Sequence, residues 1–199
     1  MKKFGNLTLI EILIKRLKKC KKIDKIIILT SNSKDDKKIV NLCIKKNFSY
    51  FCGPLKNVFL RFKKATVKFN PKRIIRISAD SPLIDWRLVD KMISLSKKHK
   101  TYDIISNVKT RTFPKGQSIE ILKPKIFMTS SKKLTDSQKE HVTKFFYDSK
   151  KYKIYNHRLK KRFDMYNLSI DKLEDYLLVS RLIKKFGILD KWRNYVSHL

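Results

Sequence analysis

Residues 73–85 read RIIRISADSPLID, and this stretch decides how the chain folds and where its site lies. Its first part, Arg73–Ser78, is a short β-branched run that predicts a buried strand. Ala79–Asp85 follows as a polar loop, and Asp85 is placed to cap a helix that we predict over Asp85–Lys98. Parallel sheets bind ligands beyond the carboxyl ends of their strands, so this loop is the first candidate for a functional site.

The segments before this stretch alternate between helical and extended patterns. Leu7–Lys19 and Lys34–Lys46 carry apolar residues at the spacing of one helical face, and Asn57–Lys68 also predicts a helix. Short runs at Lys25–Thr30 and Phe48–Cys52 predict strands between these helices. Alternation of this kind predicts parallel strands joined by crossover helices, that is, an α/β layered sheet.

The second half of the chain has a less regular pattern. We predict strands at Tyr102–Ser106, Gln117–Leu122 and Lys153–Asn156, helices at Ser137–Lys150 and Lys172–Lys185, and a short helix or packed tail at Ile188–Leu199. The chain has 199 residues and no visible linker or repeat. We therefore predict a single domain covering residues 1–199.

The formal net charge is +32, from 49 Lys and Arg against 17 Asp and Glu. Such a charge first suggests binding to nucleic acid. However, Lys greatly outnumbers Arg, and the cations are spread along the whole chain, whereas a nucleic-acid surface should concentrate them on one face. We interpret most of the charge as compositional background and do not expect nucleic acid as the partner. A non-catalytic basic protein that binds nucleic acid or another polyanion stays as the alternative.

The compartment can be inferred from the cysteines and the apolar runs. The chain has three cysteines, Cys20, Cys43 and Cys52. Their odd number and the lack of a C-x-x-C pair argue against disulfides and zinc, and favour a reducing cytoplasm. Glu11 and Lys15 interrupt the first apolar segment, so we predict no signal peptide. The longest uninterrupted apolar run, Ile26–Leu29, is far too short to span a membrane.

Two carboxylate motifs could carry chemistry. Asp80 directly follows a predicted strand, where it could hold the divalent cation that nucleotidyl transfer needs. Alternatively, Asp80 only starts a turn before Pro82. In the second motif, Asp171 could join Asp80 on one Mg²⁺, or it could cap a helix with Glu174 completing a capping box.

Two further motifs contain cationic side chains. Arg111 lies in a Pro- and Gly-containing loop between predicted strands, where it could hold a carboxylate or phosphate, or belong to an ordinary turn. His141 follows Glu140 and could contact substrate or transfer a proton, or form a surface pair with its neighbour. No other histidine pairs with it to suggest zinc.

Taken in chain order, these motifs resemble those of the cytidylyltransferases of the acylneuraminate and spore-coat polysaccharide biosynthesis type. The pattern R-x-[ST]-x-D-x-P-L-I-D is fairly specific, and the ordered set is more so. The matching stretches are Gly5–Leu17, Ile23–Ile28, Val58–Phe62, Arg76–Asp85, Ser106–Gly116, Glu140–Thr143 and Asp171–Tyr176. Enzymes of this family join CTP to a sugar or sugar acid and release pyrophosphate.

The resemblance implies a fold, a cofactor and a set of site residues. The fold would be the three-layer, Rossmann-like nucleotide-diphosphosugar-transferase fold, with a mostly parallel mixed sheet. Mg²⁺ would be held by the catalytic carboxylates Asp80 and Asp171. The other implied site residues are Asn107, Arg111 and Glu120 on the sugar side, Arg61 and Arg76 nearer the nucleotide, and His141 as a substrate contact. The partners would be CTP and the acceptor, and a homodimer, which larger relatives often form, stays open.

The chain departs from the family pattern at several places. Family members begin with a buried strand and a Gly- and Arg-containing loop that wraps the CTP phosphates. About twenty such residues would precede the first matching segment, so we expect the first strand and its loop to be missing. Two alternatives stay open: the reading frame starts late, or the protein is a degenerate, weakly active member. Asn167 stands where an Arg is common, Lys172 and Leu173 replace Thr-Pro, and the usual acidic residues near Lys115 and Ser118 are absent.

Overall fold

The computed structural model describes residues 3–128 and 134–199. The chain forms two compact units, each built from separate stretches. The first unit comprises residues 1–23, 75–121 and 154–199, and the second comprises residues 24–74 and 122–153. Two compact units can belong to one domain, so the single domain stays a prediction.

The first unit opens with a short antiparallel hairpin that leads into a capped helix. Strands β1 (Lys3–Phe4) and β2 (Leu7–Thr8) pair, and helix α1 (Leu9–Leu17) follows directly. The Thr8 hydroxyl accepts the Glu11 N–H, and the Glu11 carboxylate accepts the Thr8 N–H at 2.8 Å. This capping box satisfies two N–H groups at the start of the helix and fixes its first turn.

A four-stranded sheet belongs mainly to the first unit. Its strands are β5 (Ile74–Arg76), β6 (Ile104–Ser106), β7 (Glu120–Leu122) and β8 (Ile154–Asn156), in the spatial order β5-β7-β6-β8. Strands β6 and β8 run parallel. The isoleucine and leucine side chains of β6 and β7 are almost completely buried, as expected of short strands in the middle of a sheet.

Three helices complete the first unit, namely α4 (Trp86–Lys98), α8 (Leu173–Phe186) and α9 (Trp192–Val196). Helix α4 packs against β6 and buries Val89 and Met92 completely. Asp85 caps α4, with its side chain accepting the Arg87 N–H at 2.9 Å, which confirms the predicted N-cap. The cap fixes the C-terminal end of the loop that contains Asp80.

The second unit contains a parallel strand pair and five helices among its described residues. Strands β3 (Ile28–Ser31) and β4 (Tyr50–Gly53) pair in parallel and are connected through α2 (Lys37–Lys45). Helix α3 (Val58–Phe69) packs against both strands. The remaining helices are α5 (Lys125–Met128), α6 (Asp136–Glu140) and α7 (Lys144–Asp148).

Aromatic side chains form the core of the second unit. The Phe59 ring lies 5.3 Å from that of Phe127 and 5.6 Å from that of Phe146, and Phe146 meets Tyr152 edge-on at 5.0 Å. The single helix predicted over residues 137–150 is wrong. The backbone leaves the helical region at His141, and α7 begins anew at residue 144, which lets Phe146 enter this cluster.

The predicted fold class is confirmed. Strands and helices alternate, and both parallel and antiparallel pairs occur. Helices α1 to α4 and α8 lie within about two residues of their predicted ends, apart from the first residues of α2, which starts at Lys37. In residues 3–128 and 134–199, no helix is both long and apolar enough to cross a membrane.

Candidate active site

Asp80 lies in the loop that follows β5, four residues beyond the end of the strand. Its side chain is half-buried, and its Oδ1 accepts the Ser81 hydroxyl at 2.8 Å. Its backbone carbonyl accepts the N–H of Ile170 at 2.9 Å. Because Ile170 immediately precedes Asp171, this hydrogen bond joins the segments that contain the two predicted metal ligands.

Asp171 lies just before α8, and its side chain is exposed. The predicted capping box between Asp171 and Glu174 is wrong, because α8 begins one residue later than that box requires. Lys172 occupies the N-cap position, and the Asp175 carboxylate accepts the N–H groups of Asp171 at 3.0 Å and Lys172 at 3.1 Å. The Asp171 carboxylate is therefore not used to cap the helix.

Asp175 and Asn167 fix the turn around Asp171. Burial acts to raise the pKa of Asp175, but hydrogen bonds from the Asp171 and Lys172 N–H groups and from the Asn167 amide outweigh it and lower the pKa. The Asn167 Nδ2 donates to Asp175 at 2.8 Å, and its Oδ1 accepts the Ser169 hydroxyl at 2.7 Å. Asn167, which stands where the family often has Arg, is thus committed to the shape of this turn.

Gly116 allows a close main-chain contact beside the same turn. Its φ is +83°, and a Cβ atom there would lie 2.5 Å from the Leu168 carbonyl carbon. The neighbouring Lys115 donates its N–H to the Tyr166 carbonyl and accepts the Leu168 N–H, both at 3.0 Å. No other residue type fits this approach without moving the backbone, so the segment before Asp171 depends on a glycine at position 116.

A chain of two buried amides supports the Asp80 loop. Asn107 donates to the Gln117 carbonyl at 2.7 Å and accepts the Ile119 N–H at 2.8 Å. Gln117 in turn donates to the Leu83 carbonyl and accepts the Asp85 N–H, both at 2.9 Å. Both Asn107 and Gln117 are fully buried, so the Asn107 amide positions the chain around it.

Arg76 and Glu120 lie on the adjacent strands β5 and β7 and form an ion pair. The Arg76 Nη1 lies 2.5 Å from the Glu120 Oε2, and the Glu120 side chain is only 2% exposed against 27% for Arg76. The sequence predicted these residues on the nucleotide and sugar sides respectively. The structure brings the two side chains together, so the charge of each is balanced by the other.

Arg111 is half-buried in the loop after β6. Its Nη1 donates to the Ser118 hydroxyl at 3.0 Å. Hydrogen bonding to Arg162 is the main cause that lowers the pKa of Asp164 to about 2, and the Arg111 charge adds to it. Arg111 therefore binds Ser118 and lies near enough to Asp164 for its charge to act on that carboxylate.

Arg61 and His141 lie in the second unit. The Arg61 guanidinium donates to the Pro54 carbonyl at 2.8 and 3.1 Å and to the Leu55 carbonyl at 3.2 Å, which fixes the turn after β4. Burial lowers the pKa of Arg61, and the charge of Asp36 opposes this effect. His141 is exposed at the end of α6, where its backbone N–H donates to the Ser137 carbonyl.

Arg16 is a supporting residue that the sequence reasoning missed. It is completely buried, and its guanidinium donates to the carbonyls of Ile84 at 2.6 Å, Ile188 at 2.5 Å and Asp190 at 2.9 Å. Burial lowers its pKa. A signal was available, because Arg16 lies three residues after Leu13 and next to Leu17 on the apolar side of α1.

Asp80 and Asp171 as the ligands of a divalent cation stay a prediction. Within the described residues, no group of three or more His, Cys, Asp or Glu side chains could hold a metal ion. Mg²⁺ typically uses only one or two carboxylates together with substrate phosphates. The hydrogen bond from the Ile170 N–H to the Asp80 carbonyl brings the segments that contain the two carboxylates together, and Asp171 is exposed.

Two curated relatives match nearly the whole chain. An uncharacterised protein of Methanocaldococcus jannaschii is 32% identical over 193 residues, which covers 94% of this chain and 77% of that protein. The spore coat polysaccharide biosynthesis protein SpsF of Bacillus subtilis is 29% identical over 197 residues, covering 94% of this chain and 80% of SpsF.

Solved structures show the same fold. A cytidylyltransferase from Leptospira borgpetersenii superposes with a TM-score of 0.92 at 25% identity, covering 98% of this chain and 84% of that one. A Mycobacterium tuberculosis protein solved in complex with manganese has a TM-score of 0.59 at 10% identity, covering 88% of this chain and 87% of its own. The second likeness concerns the fold alone.

A family model described as cytidylyltransferase matches residues 1–190. The match spans both compact units and every motif that the sequence singled out. It confirms the resemblance and the enzyme class, a nucleotidyltransferase that depends on CTP. The chain belongs to the cytidylyltransferase family.

Proposed function

We propose that the protein transfers CMP from CTP to a sugar or sugar acid and releases pyrophosphate, in the synthesis of a surface polysaccharide or glycoconjugate. The observation that carries this proposal is the hydrogen bond from the Ile170 N–H to the Asp80 carbonyl. It places the turn containing Asp171 beside the loop containing Asp80. The likeness to SpsF supports the class of product.

Asp80 and Asp171 are the residues proposed to hold Mg²⁺. Bound there with the CTP phosphates, the cation would neutralise the charge that builds up as pyrophosphate leaves. Two observations support this assignment. Asp80 is half-buried, and the Asp171 side chain does not cap α8. The protein's own contribution is to keep two carboxylates on fixed segments, so that little reorganisation accompanies the reaction.

The transfer needs an acceptor oxygen in line with the bond that breaks. A hydroxyl oxygen of the sugar attacks the α-phosphorus, the bond from that phosphorus to the β-phosphate oxygen breaks, and the hydroxyl proton passes to water. We assign Arg111 to the acceptor, because its guanidinium lies in a loop of the first unit and can bind a carboxylate bidentately.

The other site residues take supporting or nucleotide roles in this proposal. In this proposal, Asn107 acts on the sugar side through the segment that it holds. Glu120 acts by fixing the partly exposed Arg76, and we assign Arg76 to the nucleotide. Arg61 acts on the nucleotide through the turn at Pro54, and His141 is a substrate contact.

The test is a coupled assay of pyrophosphate release with the full chain, Mg²⁺ and each of the four nucleoside triphosphates. A panel of sugar acids and neutral sugars serves as acceptors. We expect release with CTP that requires an acceptor and stops when the metal is chelated. Binding of CTP is measured separately by calorimetry. Absence of both CTP binding and pyrophosphate release would refute the proposal, whereas CTP binding without release would limit it to nucleotide recognition.

A further inference from the structure

A cleft of 240 Å³ opens in the first unit at the beginning of α4. Its wall includes side chains from α4, from the loop after β6, and from the N-terminal end of α9. Neither Asp80 nor Asp171 lines it. The cleft is therefore built from residues other than the carboxylate pair of the candidate active site.

The cleft concentrates positive charge. Four of its nine lining residues are Lys or Arg, compared with 49 of 199 in the chain. They are Arg87, Lys91, Lys191 and Arg193. Among the described residues, the single acidic one that lines the cleft is Asp85, which accepts the Arg87 and Trp192 N–H groups at 2.9 and 3.1 Å. Asp85 also pairs with the Arg87 guanidinium at 3.3 Å. Four cations against one carboxylate leave a net charge of +3, an excess that favours an anionic ligand.

Aromatic rings line the same cleft. The rings of Phe113 and Trp192 have centroids 6.0 Å apart. The Arg193 guanidinium carbon lies 4.7 Å from the Trp192 ring and 5.2 Å from that of Phe163. These contacts restrict the Arg193 side chain before any ligand arrives, which lowers the entropy lost on binding. A ring and a charged group side by side suit an anion attached to an organic ring.

A buried histidine nitrogen, the Nε2 of His157, lies next to the aromatic rings that line the cleft. The His157 ring packs 5.6 Å from that of Phe113. Its Nε2 is buried and has no hydrogen-bond partner in the part of the chain that the structure describes. Buried polar atoms without partners are rare in folded proteins, and they often mark places where water or a ligand completes the structure.

We propose that this cleft binds a small phosphomonoester attached to a sugar or aromatic ring. The Arg193 guanidinium can bind phosphate oxygens bidentately, whereas Arg87 is paired with Asp85. A phosphate dianion matches the excess of cations better than a single carboxylate does. The volume lies below that of most ligand pockets, which favours a single ring over a polymer. The ligand is either a sugar phosphate or a nucleoside monophosphate.

Trp192 provides the signal for a binding test. The chain contains two tryptophans, so Trp86→Phe leaves Trp192 as the only one. Its fluorescence is followed during titration with inorganic phosphate, ribose 5-phosphate and CMP, with a chelator present. We expect saturation by ribose 5-phosphate at concentrations at least about tenfold below those needed for inorganic phosphate. If CMP binds more tightly than ribose 5-phosphate, the ligand is a nucleotide. If the two bind equally, the ligand is a sugar phosphate.

Matched lysine variants test whether the cleft is the binding site. Lys91 and Lys98 both lie on α4 and are both exposed, but only Lys91 lines the cleft. Lys91→Gln should weaken ribose 5-phosphate binding about tenfold, and Lys98→Gln less than about twofold. If Lys91→Gln does not fold, Lys191→Gln and Lys184→Gln provide a second pair.

Three results would overturn the proposal. The first is no saturable change in fluorescence up to about 10 mM of any of the three probes. The second is equal weakening by Lys91→Gln and Lys98→Gln, which would indicate attraction to the overall charge. The third is displacement of ribose 5-phosphate by an oligonucleotide whose own binding is weakened equally by Lys91→Gln and Lys98→Gln. That result would indicate a surface for polyanions.

Discussion

The segments that contain Asp80 and Asp171 are held in place by different kinds of contact. The Asp80 loop is held by buried side chains from distant parts of the sequence, because Arg16 and Gln117 bind the carbonyls of Ile84 and Leu83. The Asp171 turn is held by close main-chain contact with residues 115–116 and by hydrogen bonds of the nearby Asn167 and Asp175 side chains. The Asp80 loop therefore depends on side chains from distant parts of the chain, whereas the Asp171 turn depends on its own sequence neighbours and on a glycine that leaves room for the main-chain contact.

The largest effect should follow from changing the two carboxylates themselves. If both segments serve one metal ion, Asp80→Asn and Asp171→Asn should each lower kcat about 100- to 1000-fold, despite their different supports. Pyrophosphate release at increasing Mg²⁺ concentration measures this. Asp136→Asn in the second unit, an exposed carboxylate on α6, is the control and should leave kcat unchanged.

Loss of activity in only one of the two variants would show that the two segments do not serve one metal ion. Retention of activity in Asp171→Asn would leave Asp80 alone as the functional carboxylate. A raised Mg²⁺ requirement in both variants, with unchanged thermal stability, would support a shared cation. Equal loss of stability and activity would instead indicate a structural cause.

The Asp171 turn should be most sensitive at Gly116. Gly116→Ala adds a Cβ that would lie 2.5 Å from backbone atoms of Leu168, at a φ of +83°. We expect a loss of about 3 kcal/mol or more in the free energy of unfolding, measured by urea denaturation. Gly5→Ala is a matched control, because φ is +57° but no atom lies within 4 Å of the added Cβ. It should cost about 1 kcal/mol.

The Asp80 loop should be most sensitive at Arg16. Arg16→Met keeps an unbranched side chain of similar length but leaves three backbone carbonyls without their donor. We expect a loss of about 2–3 kcal/mol in the free energy of unfolding, measured by urea denaturation. Arg181→Met, at an exposed position on α8, should change it by less than about 0.5 kcal/mol. Similar losses in both variants would show that the Arg16 contacts contribute little.

Local pattern predicted most of the fold, because helices such as α1 and α4 bury one regular apolar face. Asp85 was predicted as a cap because capping depends on neighbours in the sequence. The split between α6 and α7 was not predicted, because it depends on packing of Phe146 among aromatic residues far away in the chain.

The site shows the same division between local and distant information. Family motifs located Asp80 and Asp171, but the sequence could not show that Arg76 would pair with Glu120 across two strands. It also could not show that the Asp171 turn uses Asp175 as its cap, since Glu174 lies at an equally plausible spacing. Partner choice among several charged residues is decided by the tertiary fold.

The smallest expected effect is a difference in pH dependence. Changing Asp175 in the Asp171 turn should alter how stability depends on pH, whereas changing Arg16 beside the Asp80 loop should not. The pKa of Asp175 is lower in the folded protein than in the unfolded chain, so the folded state binds fewer protons in that range. This contribution to stability is present above the unfolded pKa of about 4 and is lost as the pH falls through the folded pKa. In Asp175→Asn, the loss of stability below about pH 4 should therefore be smaller than in the wild type, by about 1 kcal/mol or less.

Urea unfolding from pH 3 to 7 measures this difference. Arg16→Met is the control, because it removes no titrating carboxylate and should keep the pH dependence of the wild type. Parallel pH profiles for wild type and Asp175→Asn would show that the Asp171 turn does not depend on the ionised carboxylate.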